Sequence, residues 1–149
     1  MPHSQIKVVY LHSYYDKRQN ICFRTYQTSY FNYKKKMKIT IIGAGAMGGA
    51  MAEGLLQSEK FTPADITVSD HNQPVLDHFA SEGASVTLDN QLACHGADIV
   101  CVVVKPWCVE KTLKGIKDVL DYKSQKLVVV AAGVPSANIK EWLDKDGVT

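Results

Sequence analysis

The short apolar run Lys38–Ile42 (KITII) ends directly on Gly43-Ala44-Gly45-Ala46-Met47-Gly48, and a helix-patterned segment follows at once. Few folds accommodate that succession. A run without polar alternation reads as a strand buried on both faces, as in a parallel sheet. Met47, Met51 and Leu55 recur at four-residue spacing, which predicts a helix over Ala46–Ser58 with one apolar face. A GxGxxG loop that leaves a strand and opens a helix is the context of a dinucleotide-binding fingerprint. Each glycine then has its own task. Gly43 allows the tight turn, Gly45 omits a Cβ that would obstruct a pyrophosphate, and Gly48 lets the helix approach the sheet. Free N–H groups at the helix start, around Ala46 and Met47, favour an anion together with the helix dipole. The alternative is a glycine turn that holds no ligand.

The pattern continues to residue 145. Strands are predicted at Ile66–Ser69, Ser85–Leu88, Ala97–Val104 and Leu127–Ala132. Helices are predicted at Val75–Glu82, Trp107–Tyr122 and Ser136–Lys145, with a helical turn at Asn90–His95. Strands alternating with helices predict an α/β fold, a Rossmann-type doubly wound parallel sheet in one domain. Right-handed crossovers put the strand carboxyl ends on one rim, where such sheets bind ligands. The loops there are Gly43–Gly48, Ser69–Asn72, Asp89–Asn90, Lys105–Trp107 and Gly133–Pro135.

The first 36 residues do not share this pattern. They hold seven of the 17 basic residues, one acid, both arginines and six of the seven tyrosines, whereas all ten glycines lie later. That division marks a basic, Tyr-rich extension over 1–36, outside the fold, and a dinucleotide-binding domain over 37–149. A basic aromatic arm could bind nucleic acid, address the chain to a compartment or lie on a membrane surface. No periodicity supports any of these, so a solvated tail is the preferred reading. No apolar run reaches the roughly 18–20 residues that span a bilayer. Neither a nucleic-acid nor a membrane partner is expected.

Four cysteines (Cys22, Cys94, Cys101, Cys108) show no CxxC spacing. They read as reduced thiols of a cytoplasmic protein rather than as disulfides or metal ligands. Asp70 lies 22 positions past Gly48, at the end of the second predicted strand. An acid there hydrogen-bonds a ribose diol and repels the 2′-phosphate of NADP, which recruits arginine instead. Residues 37–149 contain no arginine, and Lys60, His71 and Lys105 are poor substitutes. NAD(H) is therefore favoured over NADP(H). Asp70 also has a second reading, as the cap of a turn over Asp70–Pro74.

From Met37 onward the chain resembles the amino-terminal domain of pyrroline-5-carboxylate reductases. The matching blocks are Ile42–Met51 (IGAGAMGGAM), Thr87–Asn90 (TLDN), Ala97–Pro106 (ADIVCVVVKP) and Ala131–Val134 (AAGV). The resemblance implies that Gly43, Gly45, Ala46, Met47 and Gly48 cradle the pyrophosphate and that Asn90 reaches the ribose–phosphate region. It implies a wall beside the nicotinamide made by Val104, Lys105, Pro106, Ala132 and Gly133, with Lys105 contributing its backbone rather than its ammonium. Trp107 departs from the more usual polar residue after VKP. The implied reaction is NAD(P)H-dependent reduction of a cyclic imine acid, 1-pyrroline-5-carboxylate, to proline.

Members of the family continue into a helical domain that dimerises and completes the active site. The resemblance therefore implies a cofactor-binding half, inactive alone, whose full-length relatives are homo-oligomers. No catalytic residue is assigned to this half, and His71, His78 and His95 show no catalytic pairing. The last helix and the Ala97–Val104 strand are expected to leave apolar surface for the absent domain. A non-catalytic NAD-binding module and a β-hydroxyacid dehydrogenase-like enzyme are the alternatives.

Overall fold

The computed structural model describes residues 36–144 and the backbone of Val9–Tyr10. Expectations for the rest of 1–35 and for 145–149 lie outside the described residues. In chain order the elements are β1 (Val9–Tyr10), β2 (Ile39–Ile42), α1 (Ala46–Gln57), β3 (Ile66–Ser69), α2 (Gln73–Ser81) and β4 (Ser85–Thr87). They continue as α3 (Asn90–Cys94), β5 (Ile99–Val102), α4 (Pro106–Ile116), β6 (Lys126–Val129) and α5 (Ser136–Leu143). A 3-10 turn at Pro63–Asp65, unforeseen in the sequence, precedes β3.

All strand pairs are parallel, in the order β1-β6-β5-β2-β3-β4. The chain runs outward from β2 through β3 to β4, then crosses back to β5 on the other side. The crevice between the ends of β2 and β5 is thus a topological switch point, where open α/β sheets take ligands. Ile41 pairs with Cys101 and with Val68 across that centre. At one outer edge, β1 pairs with Val128 and Val129. This two-residue pairing has no counterpart in the sequence pattern.

The sheet separates two cores, because successive residues of a strand face opposite sides. Ile42, Val100, Val102, Leu127 and Val129 pack with Val109, Leu113 and Ile116 of α4 and with Ile139 and Leu143 of α5. Ile41, Ile66, Val68, Cys101 and Val103 pack with Ala52 of α1 and with Leu76 and Phe79 of α2. Each fully buried Ile or Leu contributes roughly 1.5–3 kcal/mol of transfer free energy. The short α3 is held by side chains rather than length. Thr40 Oγ1 donates to the Ala93 carbonyl at 2.6 Å, and Gln125 Nε2 donates to the Cys94 carbonyl at 2.6 Å.

Three expectations are corrected. The predicted helix over Trp107–Tyr122 ends at Ile116, and the chain winds on in turns. There the Tyr122 hydroxyl donates to the Lys117 carbonyl, and Gln125 Oε1 accepts from the Asp121 N–H. Leu120 still reaches the core, so the apolar spacing persists without helical hydrogen bonds. Met47 is exposed instead of stacking inward with the partly buried Met51 and Leu55, because the face that α1 turns to the sheet is the one carrying Gly48 and Ala52. Finally, Val100 and Val102 of β5 and Ile139 and Leu143 of α5 are buried by this chain itself, whereas Trp142 of α5 is half-buried and Ala137 exposed. The large exposed apolar side chains among the described residues are Met37, Met47, Leu88, Leu92 and Trp107.

Candidate functional site

The loop after β2 is shaped by its neighbours on both sides. Gly43 has φ +93°, a left-handed conformation that disfavours any Cβ, and its N–H donates to the Ser69 carbonyl at 2.8 Å. A Cβ on Gly43 would lie 2.4 Å from the Val103 carbonyl oxygen and 2.8 Å from Val104 Cγ1. A Cβ on Gly48 would lie 1.8 Å from the Gly43 carbonyl oxygen. Both positions are glycine because the protein's own backbone occupies the space. Gly45 differs: no protein atom lies within 4 Å of where its Cβ would be. Its φ of −68° asks for no glycine either. The space beside Gly45 is open, so neither packing nor backbone conformation in this chain requires glycine there.

Gly45 is also the N-cap of α1, and no side chain caps this helix start. Gly49 N–H donates to the Gly45 carbonyl at 2.7 Å, which begins the helix. The preceding N–H groups at Ala46, Met47 and Gly48 belong to the set that a helix cannot satisfy internally. Ala46 and Met47 are exposed. An uncapped helix start beside an open cradle is a site for an anion, so these residues fit a dinucleotide's pyrophosphate.

Asp70 closes the loop from the β3 side. Its Oδ2 accepts from the Ala44 N–H at 2.7 Å, and its Oδ1 accepts from the Asn72 N–H at 2.8 Å. The second contact is the turn reading left open by the sequence. His71, fully exposed, places Nδ1 3.4 Å from Asp70 Oδ1. Asn90 reaches the same rim, its Oδ1 accepting from the Ser69 hydroxyl at 2.7 Å. Asp89 fixes the start of α3, with Oδ1 accepting from Gln91 N–H at 2.8 Å and Leu92 N–H at 3.3 Å. The sequence reading put Ser69 and Asp89 in rim loops but gave neither a supporting role. The aspartate one residue before a helical turn was the available signal for Asp89.

Beyond β5, Val104 is half-buried against Gly43, whereas Lys105 and Pro106 are exposed. Pro106 occupies the first position of α4, where its missing N–H costs nothing. Lys105 Nζ lies 5.3 Å from the Trp107 ring centroid, so the ammonium rests on the indole. Ala132 and Gly133 follow β6 at the same rim, both exposed, with Gly133 at φ +72°. Gly43, Val104, Ser69 and Asn90 are thus linked by direct contacts, and Asp70 joins them through the Ala44 N–H. Lys105, Pro106, Ala132 and Gly133 share the rim through strand register alone. His78, on α2, lines the same hollow as Ala44, Gly45 and Ala46, with its Nε2 3.5 Å from Glu53 Oε1. Burial pushes the Cys101 thiol up to about 11, so it stays protonated in its strand.

Residues 38–134 match the family model described as NADP oxidoreductase, coenzyme F420-dependent. Over 111 residues the chain is 36% identical to a pyrroline-5-carboxylate reductase of Methanosarcina acetivorans, covering 73% of this chain and 40% of that protein. A solved pyrroline-5-carboxylate reductase of Coxiella burnetii superposes with a TM-score of 0.69 at 31% identity, covering 74% of this chain and 41% of that one. An imine reductase of Myxococcus stipitatus in complex with NADP+ gives 0.62 at 26% identity, covering 74% of this chain and 38% of that one. Its V8 variant in complex with NAD+ also gives 0.62, at 28% identity, covering 76% and 38%. The chain spans about two fifths of the length of these relatives.

Proposed function

The chain belongs to the NADP oxidoreductase, coenzyme F420-dependent family, and from that membership we propose that it supplies the cofactor-binding half of an imine-reducing oxidoreductase. The reaction is reduction of 1-pyrroline-5-carboxylate to proline, in the cytoplasm. The observation that carries this reading is the cradle at Gly45, open to 4 Å beside an uncapped helix start. The relatives' common name supplies the substrate.

When bound, a reduced nicotinamide supplies the hydride that such a reduction needs. This chain's residues bind and orient. Gly43–Gly48 hold the pyrophosphate through backbone N–H groups, and Asn90 meets the ribose–phosphate region. Val104, Lys105, Pro106, Ala132 and Gly133 wall the nicotinamide end and exclude water there. A protonated cyclic imine is already electrophilic, so no general base is assigned to this half.

Of the two dinucleotides, NADH is the proposed one. The support is electrostatic: the Asp70 carboxylate sits on the loop, and residues 37–149 offer no arginine to a 2′-phosphate. The test is a side-by-side titration with NADH and NADPH, following the fluorescence of Trp107 at the rim. Saturation by NADH at lower concentration is expected, and saturation by neither would overturn the cofactor reading. Joined to the remaining part of the Methanosarcina relative, the chain should oxidise NADH with pyrroline-5-carboxylate. Turnover with a β-hydroxyacid instead would overturn the substrate.

A further inference from the structure

We propose that Asp70 is a positioning residue that sets the shape of the pyrophosphate loop, rather than the group that reads the ribose diol. The proposal rests on the dinucleotide reading above for its ligand, but its structural basis is independent of it.

Ala44 is buried, 6% exposed, between the two glycines that turn the chain. A buried backbone N–H needs an acceptor, and leaving it without one is costly. The acceptor is Asp70 Oδ2 at 2.7 Å. The preceding amide, Gly43 N–H, donates to the Ser69 carbonyl at 2.8 Å. Two consecutive amides of the loop are therefore fixed by two consecutive residues at the end of β3. The other carboxylate oxygen is engaged as well, by Asn72 N–H at 2.8 Å, and the side chain is only 9% exposed. A carboxylate has roughly four lone-pair positions, and two are spent on the backbone.

The consequence lies at Gly45 and the helix start that follows. These groups bind an anion well only if their N–H vectors are set before it arrives. Asp70 sets them through Ala44. Its effect should reach every ligand that carries the pyrophosphate, whether or not that ligand has a ribose 2′-hydroxyl.

A double-mutant cycle separates the two roles. Wild-type chain and Asp70→Asn are each titrated with NADH and with 2′-deoxy-NADH, a pair that differs in one hydroxyl and not in charge. Asparagine retains one acceptor oxygen but cannot accept from both Ala44 and Asn72 with carboxylate strength. Positioning predicts that D70N weakens both ligands by the same factor, on the order of tenfold. It also predicts that wild type loses less than about threefold on removal of the hydroxyl. A tenfold loss for NADH with none for 2′-deoxy-NADH would overturn the proposal while leaving the cofactor reading intact.

Amide hydrogen exchange without any ligand gives a second readout. In wild type the Ala44 amide should be protected. In D70N it should exchange at least tenfold faster, with the β2 and β5 ladders unchanged. An unprotected Ala44 amide in wild type would overturn the proposal even if D70N fails to fold. If neither dinucleotide binds while Ala44 responds as expected, the cofactor reading falls and the role of Asp70 in the loop stands.

Discussion

The Ala44 amide and the Asp70 carboxylate meet at 2.7 Å, which ties the glycine loop to the end of the neighbouring strand. Beside this pair, the His71 ring is fully exposed and makes no packing contact that a longer side chain would break. Position 71 thus has room for a longer, cationic side chain beside Asp70 Oδ1. His71→Arg should strengthen NADPH binding by about tenfold, because a guanidinium takes a phosphate in two hydrogen bonds. NADH affinity should move by less than about threefold. Parallel titrations of the variant with both dinucleotides check this, and an unchanged ratio would place the 2′ position elsewhere.

The glycines divide into two kinds, and substitution should tell them apart. A methyl at Gly48 would meet the Gly43 carbonyl oxygen at 1.8 Å, so Gly48→Ala must push α1 off the loop. The cost is on the order of 3 kcal/mol or more, read as a lower thermal midpoint or failure to fold. Gly45→Ala meets no protein atom within 4 Å and should change stability by less than about 1 kcal/mol. Its dinucleotide affinity should nevertheless fall by tenfold or more. Retained affinity in Gly45→Ala would mean that the cradle is not where the pyrophosphate lies.

Thiol reactivity should follow burial. Cys94 is pushed up to about 11 by burial, with the Asp89 charge adding to it, and Cys101 to about 11 by burial alone. Cys108, in the first turn of α4, is only half-buried. At pH 8, peptide mapping after brief alkylation should find Cys108 labelled well before either of the others. Equal labelling of Cys101 would show that β5 opens readily.

Acid should weaken the corner before β3. Asp65 is held below its ordinary value of 3.8, chiefly by the Thr62 hydroxyl, then by the Thr62 N–H and the Lys36 charge, with burial opposing. Lys36 Nζ lies 3.5 Å from Asp65 Oδ2. A carboxylate with a lowered folded value binds fewer protons folded than unfolded. Its stabilisation is therefore fully present above about pH 4 and lost as pH falls through the folded value. Thr62→Ala should lower the melting temperature at pH 6 and lose part of that effect at pH 2. An equal difference at both pH values would count against the linkage.

The parts of the fold that the sequence made legible are those where one residue type is forced. Only glycine fits at Gly43, with its positive φ and the Val103 carbonyl against it, and the loop is readable for that reason. The apolar runs marked the central strands because most of their positions are buried on both faces, as in β2 and β5, whereas the edge strand β4 exposes Ser85. Their ends were not readable. The run of β5 continues to Val104, but pairing stops at Val102, where the neighbouring strands end. In α4 the spacing continued to Leu120 although the helix did not, since a turn can deliver a leucine to a core as well as a helix can. Asp70 was placed correctly on the rim. Which atoms its oxygens meet depends on the path of the loop 26 residues earlier, and no spacing rule encodes that. The pairing of Val9–Tyr10 with β6 is an edge contact of two residues, too short to leave a pattern.

The position of β2 between β3 and β5 has a consequence for how the chain comes to life on the ribosome. Its glycines are made early, yet the wall that shapes them is made late. The Val103 N–H donates to the Ile42 carbonyl at 2.8 Å, and the Val103 carbonyl closes on Gly43. Some sixty residues must therefore emerge after Gly43 before the glycine loop has a floor, a delay intrinsic to a parallel sheet whose central strand is made before its neighbours. Any nascent or shortened chain ending before Val103 would carry every letter of the glycine motif and none of its shape.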